Sequence, residues 1–152
     1  MTSELLNGEP LRILLVEDDP AHAELITRCF EEHNIANRIY HVGDGETALD
    51  FLHHRGDYAD QEASPRPHVI LLDLRLPGIC GLDVLTQVKT NEDLETIPVV
   101  ILTASQAEPD IEEAYKKRVN SYLVKPLDFD KFKQLMIDLG FYWLGWNRSP
   151  WS

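Results

Sequence analysis

HVILLDLRLPGICG, His68 to Gly81, decides how this sequence has to fold. Val69 to Leu72 are all Val, Ile or Leu, and they run straight into Asp73. A strand with one wet face would alternate apolar and polar residues. An unbroken apolar run of this length suits a strand covered on both faces, as in a parallel sheet. The proline and glycine of LRLPG then end the run. An ionised carboxylate beside that much hydrocarbon is expensive unless something pairs with it, so Asp73 asks for a function.

Outward from this strand the pattern recurs. LRILLV (Leu11 to Val16), RIYHV (Arg38 to Val42), VVILT (Val99 to Thr103) and SYLV (Ser121 to Val124) read as further strands. Helical periodicity fills the intervals at Pro20 to His33, Gly45 to Arg55, Leu82 to Thr90, Asp110 to Arg118 and Asp128 to about Trp143. Asp44 and Asp128 stand where N-caps belong, and Asp19 followed by Pro20 fits a cap better than a ligand. Five strand–helix pairs with right-handed crossovers predict an α/β, doubly wound (βα)5 fold of the flavodoxin-like kind, its parallel sheet ordered 2-1-3-4-5. GDYADQEASPRP, Gly56 to Pro67, lacks periodicity and is expected to be a solvated spacer loop.

Composition narrows the function. A chain of 152 residues, 43% hydrophobic, suits one domain, expected over residues 10–140 with extensions at 1–9 and 141–152. The 26 acidic residues against 14 basic ones, net charge −12, argue against nucleic acid as partner, since phosphate-backbone binding rests on Lys and Arg. No stretch is apolar enough to cross a bilayer and the amino terminus carries acids where a signal peptide has bases, so a cytoplasmic location is expected. Cys29 and Cys80 lack metal-ligand spacing and read as reduced thiols.

Ligands of open parallel sheets collect at the carboxyl ends of the strands. Here those ends carry Glu17 and Asp18, Asp73, Thr103, and Lys125. The order 2-1-3-4-5 puts the first strand beside the third, bringing Glu17, Asp18 and Asp73 together. Three mutually repelling carboxylates ask for a hard cation, and Mg²⁺ with its preference for carboxylates, waters and phosphate oxygens answers best. Lys125 supplies a fixed positive charge and Thr103 a hydroxyl donor. Nucleophile, metal, cation and donor are the parts of a phosphoryl-transfer site, with Asp73 attacking phosphorus to become an acyl phosphate. A hydrolase with an Asp nucleophile is the alternative, but its second Asp, two residues on, is replaced by Arg75. An FMN site would need a phosphate-binding loop where EDDPAH presents acids.

VEDD, LLDLRLPG, VVILTAS and YLVKP together resemble the receiver domain of two-component response regulators. The resemblance implies a phosphoacceptor at Asp73 and metal ligation by Asp18, Asp73 and the backbone carbonyl of Arg75, with Glu17 in the acidic pocket. It also implies a switch formed by Thr103 and Tyr122, Lys125 on the phosphoryl group, and an acyl-phosphate lifetime influenced by Arg75 and Ser105. Such a protein is a switch that catalyses its own phosphorylation and dephosphorylation rather than an enzyme acting on a separate substrate. The long loop, NSYLVKP and the tail FYWLGWNRSPW resemble more narrowly the single-domain regulators paired with phytochrome-type histidine kinases. That implies output by protein contact.

The last helix carries two stripes. Phe129, Phe132, Met136, Leu139 and Trp143 are expected to face the core, while Leu135, Tyr142 and Trp146 fall beside them. With Ile111 and Tyr115 of the fourth helix, this second stripe is the expected interface of a homodimer.

Overall fold

The computed structural model describes residues 11–32 and 37–142. Five strands, β1 Leu11–Val16, β2 Asn37–Val42, β3 Val69–Leu72, β4 Val99–Thr103 and β5 Ser121–Val124, alternate with five helices. The helices are α1 Pro20–Glu32, α2 Gly45–His53, α3 Gly81–Lys89, α4 Glu108–Lys116 and α5 Phe129–Phe141. The sheet is parallel throughout and ordered β2-β1-β3-β4-β5, the order the crossover rule predicts.

Alternating side chains of the inner strands feed two cores. Leu14, Val16, Ile70 and Leu72 pack on one face with α2, α3 and Ala114 of α4. Ile13, Leu15, Val69 and Leu71 pack on the other with Ile26 and Phe30 of α1 and Phe132 and Met136 of α5. β3 and β4 are buried along their whole length, whereas every residue of β5, an edge strand bonded only to β4, is half-buried. Asp44 caps α2 by accepting from the Thr47 N–H at 2.7 Å, and Asp128 caps α5 by accepting from the Lys131 N–H at 3.0 Å. Asp19 accepts from the N–H groups of Ala21 and His22, the capping role expected of it.

Three expectations need correction. The spacer after α2 is partly folded: Gly56–Tyr58 is a 3₁₀ turn, and Ser64 is buried with its hydroxyl donating to the Tyr58 carbonyl. α4 begins at Glu108 rather than Asp110, because Pro109 lacks only an N–H that the first turn leaves unpaired anyway. In α5 Phe132 and Met136 are buried, Leu135 and Leu139 are partly buried beside them, and Phe129 is 63% exposed. The expected stripe meets the sheet at Phe132, Met136 and Leu139, and Phe129, in the first turn, stands outside it. Leu135 is partly buried against the core, while Trp143 and Trp146 lie outside the described residues.

Candidate functional site

The parallel sheet delivers four chemical groups to one edge. The Glu17 N–H continues the β1–β2 ladder by donating to the Val42 carbonyl at 3.0 Å, and the Asp73 N–H donates to Val16 at 3.1 Å. The Lys125 N–H donates to the Thr103 carbonyl at 2.7 Å. Each functional residue is therefore the first one past its strand or the last one in it, held by the ladder itself.

Glu17, Asp73, Thr103 and Lys125 are all buried, and Asp18 is exposed. The Lys125 ammonium lies between two carboxylates, 2.5 Å from Glu17 Oε1 and 2.9 Å from Asp73 Oδ2. The second Asp73 oxygen accepts from the Arg75 N–H at 3.1 Å, and the second Glu17 oxygen from the Asp19 N–H at 3.1 Å. Burial pushes the Asp73 carboxyl up, but the Arg75 N–H, Lys125 and the Thr103 hydroxyl together hold it below the usual aspartate range. It is ionised at neutral pH. Glu17 goes the other way, burial raising it despite the bond from Lys125. Burial lowers Lys125, and its two carboxylate partners more than restore it, leaving it raised and cationic.

One oxygen each from Glu17, Asp18 and Asp73 fall within 4.8 Å of one another, a spacing that fits a single hard cation. Three carboxylates against one ammonium leave charge that a divalent ion matches, so the residues present fit a divalent metal.

Several residues that sequence reasoning missed shape this edge. Glu46 of α2 accepts from the Ile79 N–H at 3.0 Å and so holds the loop after β3, which turns at Gly78 with φ +74°. Gly81 opens α3 directly against the Asp73 backbone: a Cβ there would stand 2.7 Å from Leu74 Cα and collide with the Asp73 carbonyl. His22 places Nδ1 3.0 Å from the Lys125 ammonium. Asp110 of α4 receives the Arg75 guanidinium at 3.1 Å and the Ser105 hydroxyl at 2.5 Å. Glycine at a helix start was the only one of these signals visible in sequence; the others are long-range pairings. Tyr122, half-buried on β5, donates to the Ser105 carbonyl at 2.9 Å. On the α4 and α5 side, Ile111 is half-buried, and Tyr115 and Tyr142 are 52% and 50% exposed.

Residues 13–137 match the family profile of the response regulator receiver domain. The chain is 48% identical over 151 residues to the probable methanogenesis regulatory protein FilR2 of Methanothrix harundinacea (strain 6Ac), covering 98% of this chain and 94% of that protein. It is 39% identical over 138 residues to response regulator Rcp1 of Synechocystis sp. (strain ATCC 27184 / PCC 6803 / Kazusa), covering 91% and 92%. The crystal structure of the Mn(2+)-bound form of Rcp1 superposes with TM-score 0.87 at 38% identity, covering 93% of this chain and 99% of that one. The phosphorylated cyanobacterial phytochrome response regulator RcpA gives TM-score 0.87 at 34% identity with the same coverage.

Proposed function

The chain belongs to the response regulator receiver domain family, and we propose that it is a phosphoacceptor switch in which Asp73 takes a phosphoryl group from a histidine kinase. The observation that carries this reading is the buried Asp73 carboxylate, held ionised with one oxygen on the Arg75 N–H and the other on Lys125. The Asp73 oxygen attacks phosphorus, an O–P bond forms as the donor's P–N bond breaks, and the electron pair leaves with the donor nitrogen. Lys125 moves from balancing two carboxylates to balancing the phosphoryl oxygens, and the Thr103 hydroxyl donates to one of them. Mg²⁺, held by Asp18, Asp73 and the Arg75 carbonyl with Glu17 beside them, would supply charge neutralisation at those oxygens. Thr103 and Tyr122 then carry the change toward α4 and β5.

The likeness to Rcp1 and RcpA supports a phytochrome-type kinase as donor, a cytoplasmic location, and output through protein contact. FilR2, the more identical relative, is named for a different pathway, so kinase profiling decides the input. A homodimer through Ile111, Tyr115, Leu135 and Tyr142, with Trp146 contributing, is supported by the exposure of the two tyrosines. Acetyl phosphate with Mg²⁺ should label wild type stoichiometrically and Asp73→Asn not at all. Equal labelling of the Asn variant would refute the assignment, and continuous phosphate release would favour a hydrolase.

A further inference from the structure

We propose that Asp110 is a positioning residue that latches the resting arrangement of the phosphorylation site, an inference that rests on the phosphoacceptor reading of Asp73. A single oxygen, Asp110 Oδ2, receives both the Arg75 guanidinium at 3.1 Å and the Ser105 hydroxyl at 2.5 Å. Arg75 lies two residues beyond Asp73 and gives its N–H to Asp73 Oδ1. Ser105 lies two residues beyond Thr103, and its N–H faces Thr103 Oγ1 at 3.5 Å. The Ser105 carbonyl also takes the Tyr122 hydroxyl. One carboxylate in the first turn of α4 therefore ties together the loop of the acceptor, the loop of the hydroxyl and the aromatic ring of β5.

These contacts oppose the change that phosphorylation requires. At rest the Thr103 hydroxyl already helps hold the Asp73 carboxylate while its oxygen faces the Ser105 N–H. To follow a new oxygen carried on Asp73 the hydroxyl must shift, and the segment it pulls on, 104–107, is fastened by the Ser105 hydroxyl to Asp110 and by the Ser105 carbonyl to Tyr122. Asp110 itself is only partly exposed, 26% at its side chain against 69% for Arg75, so its bond to Ser105 is the better shielded of the two. A contact present at rest and lost on activation biases the equilibrium toward rest by its full free energy.

The test is a ¹⁹F NMR titration of beryllofluoride, a phosphoryl mimic, at saturating Mg²⁺ on wild type, Asp110→Ala, Asp110→Asn and Ser105→Ala. Losing one hydrogen bond and one exposed ion pair should tighten the adduct about five- to tenfold in Asp110→Ala. Asp110→Asn, which keeps an acceptor for Ser105, should show a smaller gain, and Ser105→Ala should tighten binding as well. A general loosening of the fold weakens binding, so a gain in affinity alongside a lower melting temperature is specific to the latch. Unchanged or weaker binding in Asp110→Ala, or in Ser105→Ala should Asp110→Ala fail to fold, overturns the proposal while leaving the phosphoacceptor reading intact. No adduct in wild type refutes that reading and the latch with it.

Discussion

Replacing Lys125 with methionine isolates the charge balance on which the site depends. Methionine keeps most of the side chain's volume and removes only its charge and donors. The ammonium lies 2.5 Å from Glu17 and 2.9 Å from Asp73, and all three residues are at most 7% exposed. Removing one partner of a buried ion pair typically costs about 3–5 kcal/mol, because the remaining charge is left without compensation. For a protein of this size each kcal/mol lowers the melting temperature by about 2–4 °C, so a fall of roughly 6–20 °C is expected in metal-free buffer. Without Lys125 both carboxyls should rise above their ordinary values of 4.5 and 3.8. A raised carboxyl destabilises the fold above its unfolded value and ceases to do so once it is protonated in both states. The deficit relative to wild type should therefore shrink as pH falls from about 7 to about 4. Mg²⁺, by restoring positive charge between the same oxygens, should raise the variant's melting temperature more than that of wild type. Calorimetry across that pH range, with and without Mg²⁺, reads all three effects. A loss under about 1 kcal/mol, the size of an exposed pair, or one indifferent to both pH and Mg²⁺, would refute the reasoning.

Thr103→Ala should still take phosphate through Asp73, but NMR shift changes over α4 and β5 on adding beryllofluoride should fall well below those of wild type; equal changes would uncouple Thr103 from the switch. Gly81→Ala should cost about 1–3 kcal/mol and slow labelling by acetyl phosphate, because the new methyl displaces the Asp73 backbone; denaturant melts and labelling rates check both. Lys89 is buried at the opposite end of the sheet, donating to the carbonyls of Glu95 and Ile97 and to Asn120 Oδ1, so Lys89→Met should destabilise by at least about 1–3 kcal/mol and leave the labelling rate unchanged. Sedimentation equilibrium with and without beryllofluoride tests the dimer; a monomer at high micromolar concentration in both states, with Tyr142→Ala behaving identically, would exclude it.

The strands were legible because burial on both faces writes itself into sequence as unbroken apolar runs, and their order followed from the handedness of the crossovers. The strand-end residues were legible for the same reason: a polar residue that closes such a run has nowhere to point but the edge. What stayed hidden depends on where packing stops along an element and on distance along the chain. Periodicity puts Phe129 on the stripe of Phe132, Met136 and Leu139 but cannot say where along α5 the cover ends, and Phe129, in the first turn, lies outside. The reach of Lys125 to Asp73 follows from its place at a strand end, but its second bond, to Glu17, is not marked in the sequence, and it offsets part of the repulsion among the acids. The pairings of Glu46 with Ile79 and of Asp110 with Arg75 join residues more than thirty positions apart, and no local pattern marks them.

The contrast between β3 and β5 separates chemistry from its readout. Asp73, the proposed phosphoacceptor, follows a strand with neighbours on both sides and no exposed residue, so its position is fixed by a tightly constrained backbone. Tyr122 belongs to a margin with one hydrogen-bonded neighbour and half-buried side chains, where small displacements disturb few contacts. A reaction centre mounted on a rigid post and a pointer mounted on a compliant one can register the arrival of a few atoms as movement at the surface without loosening the post.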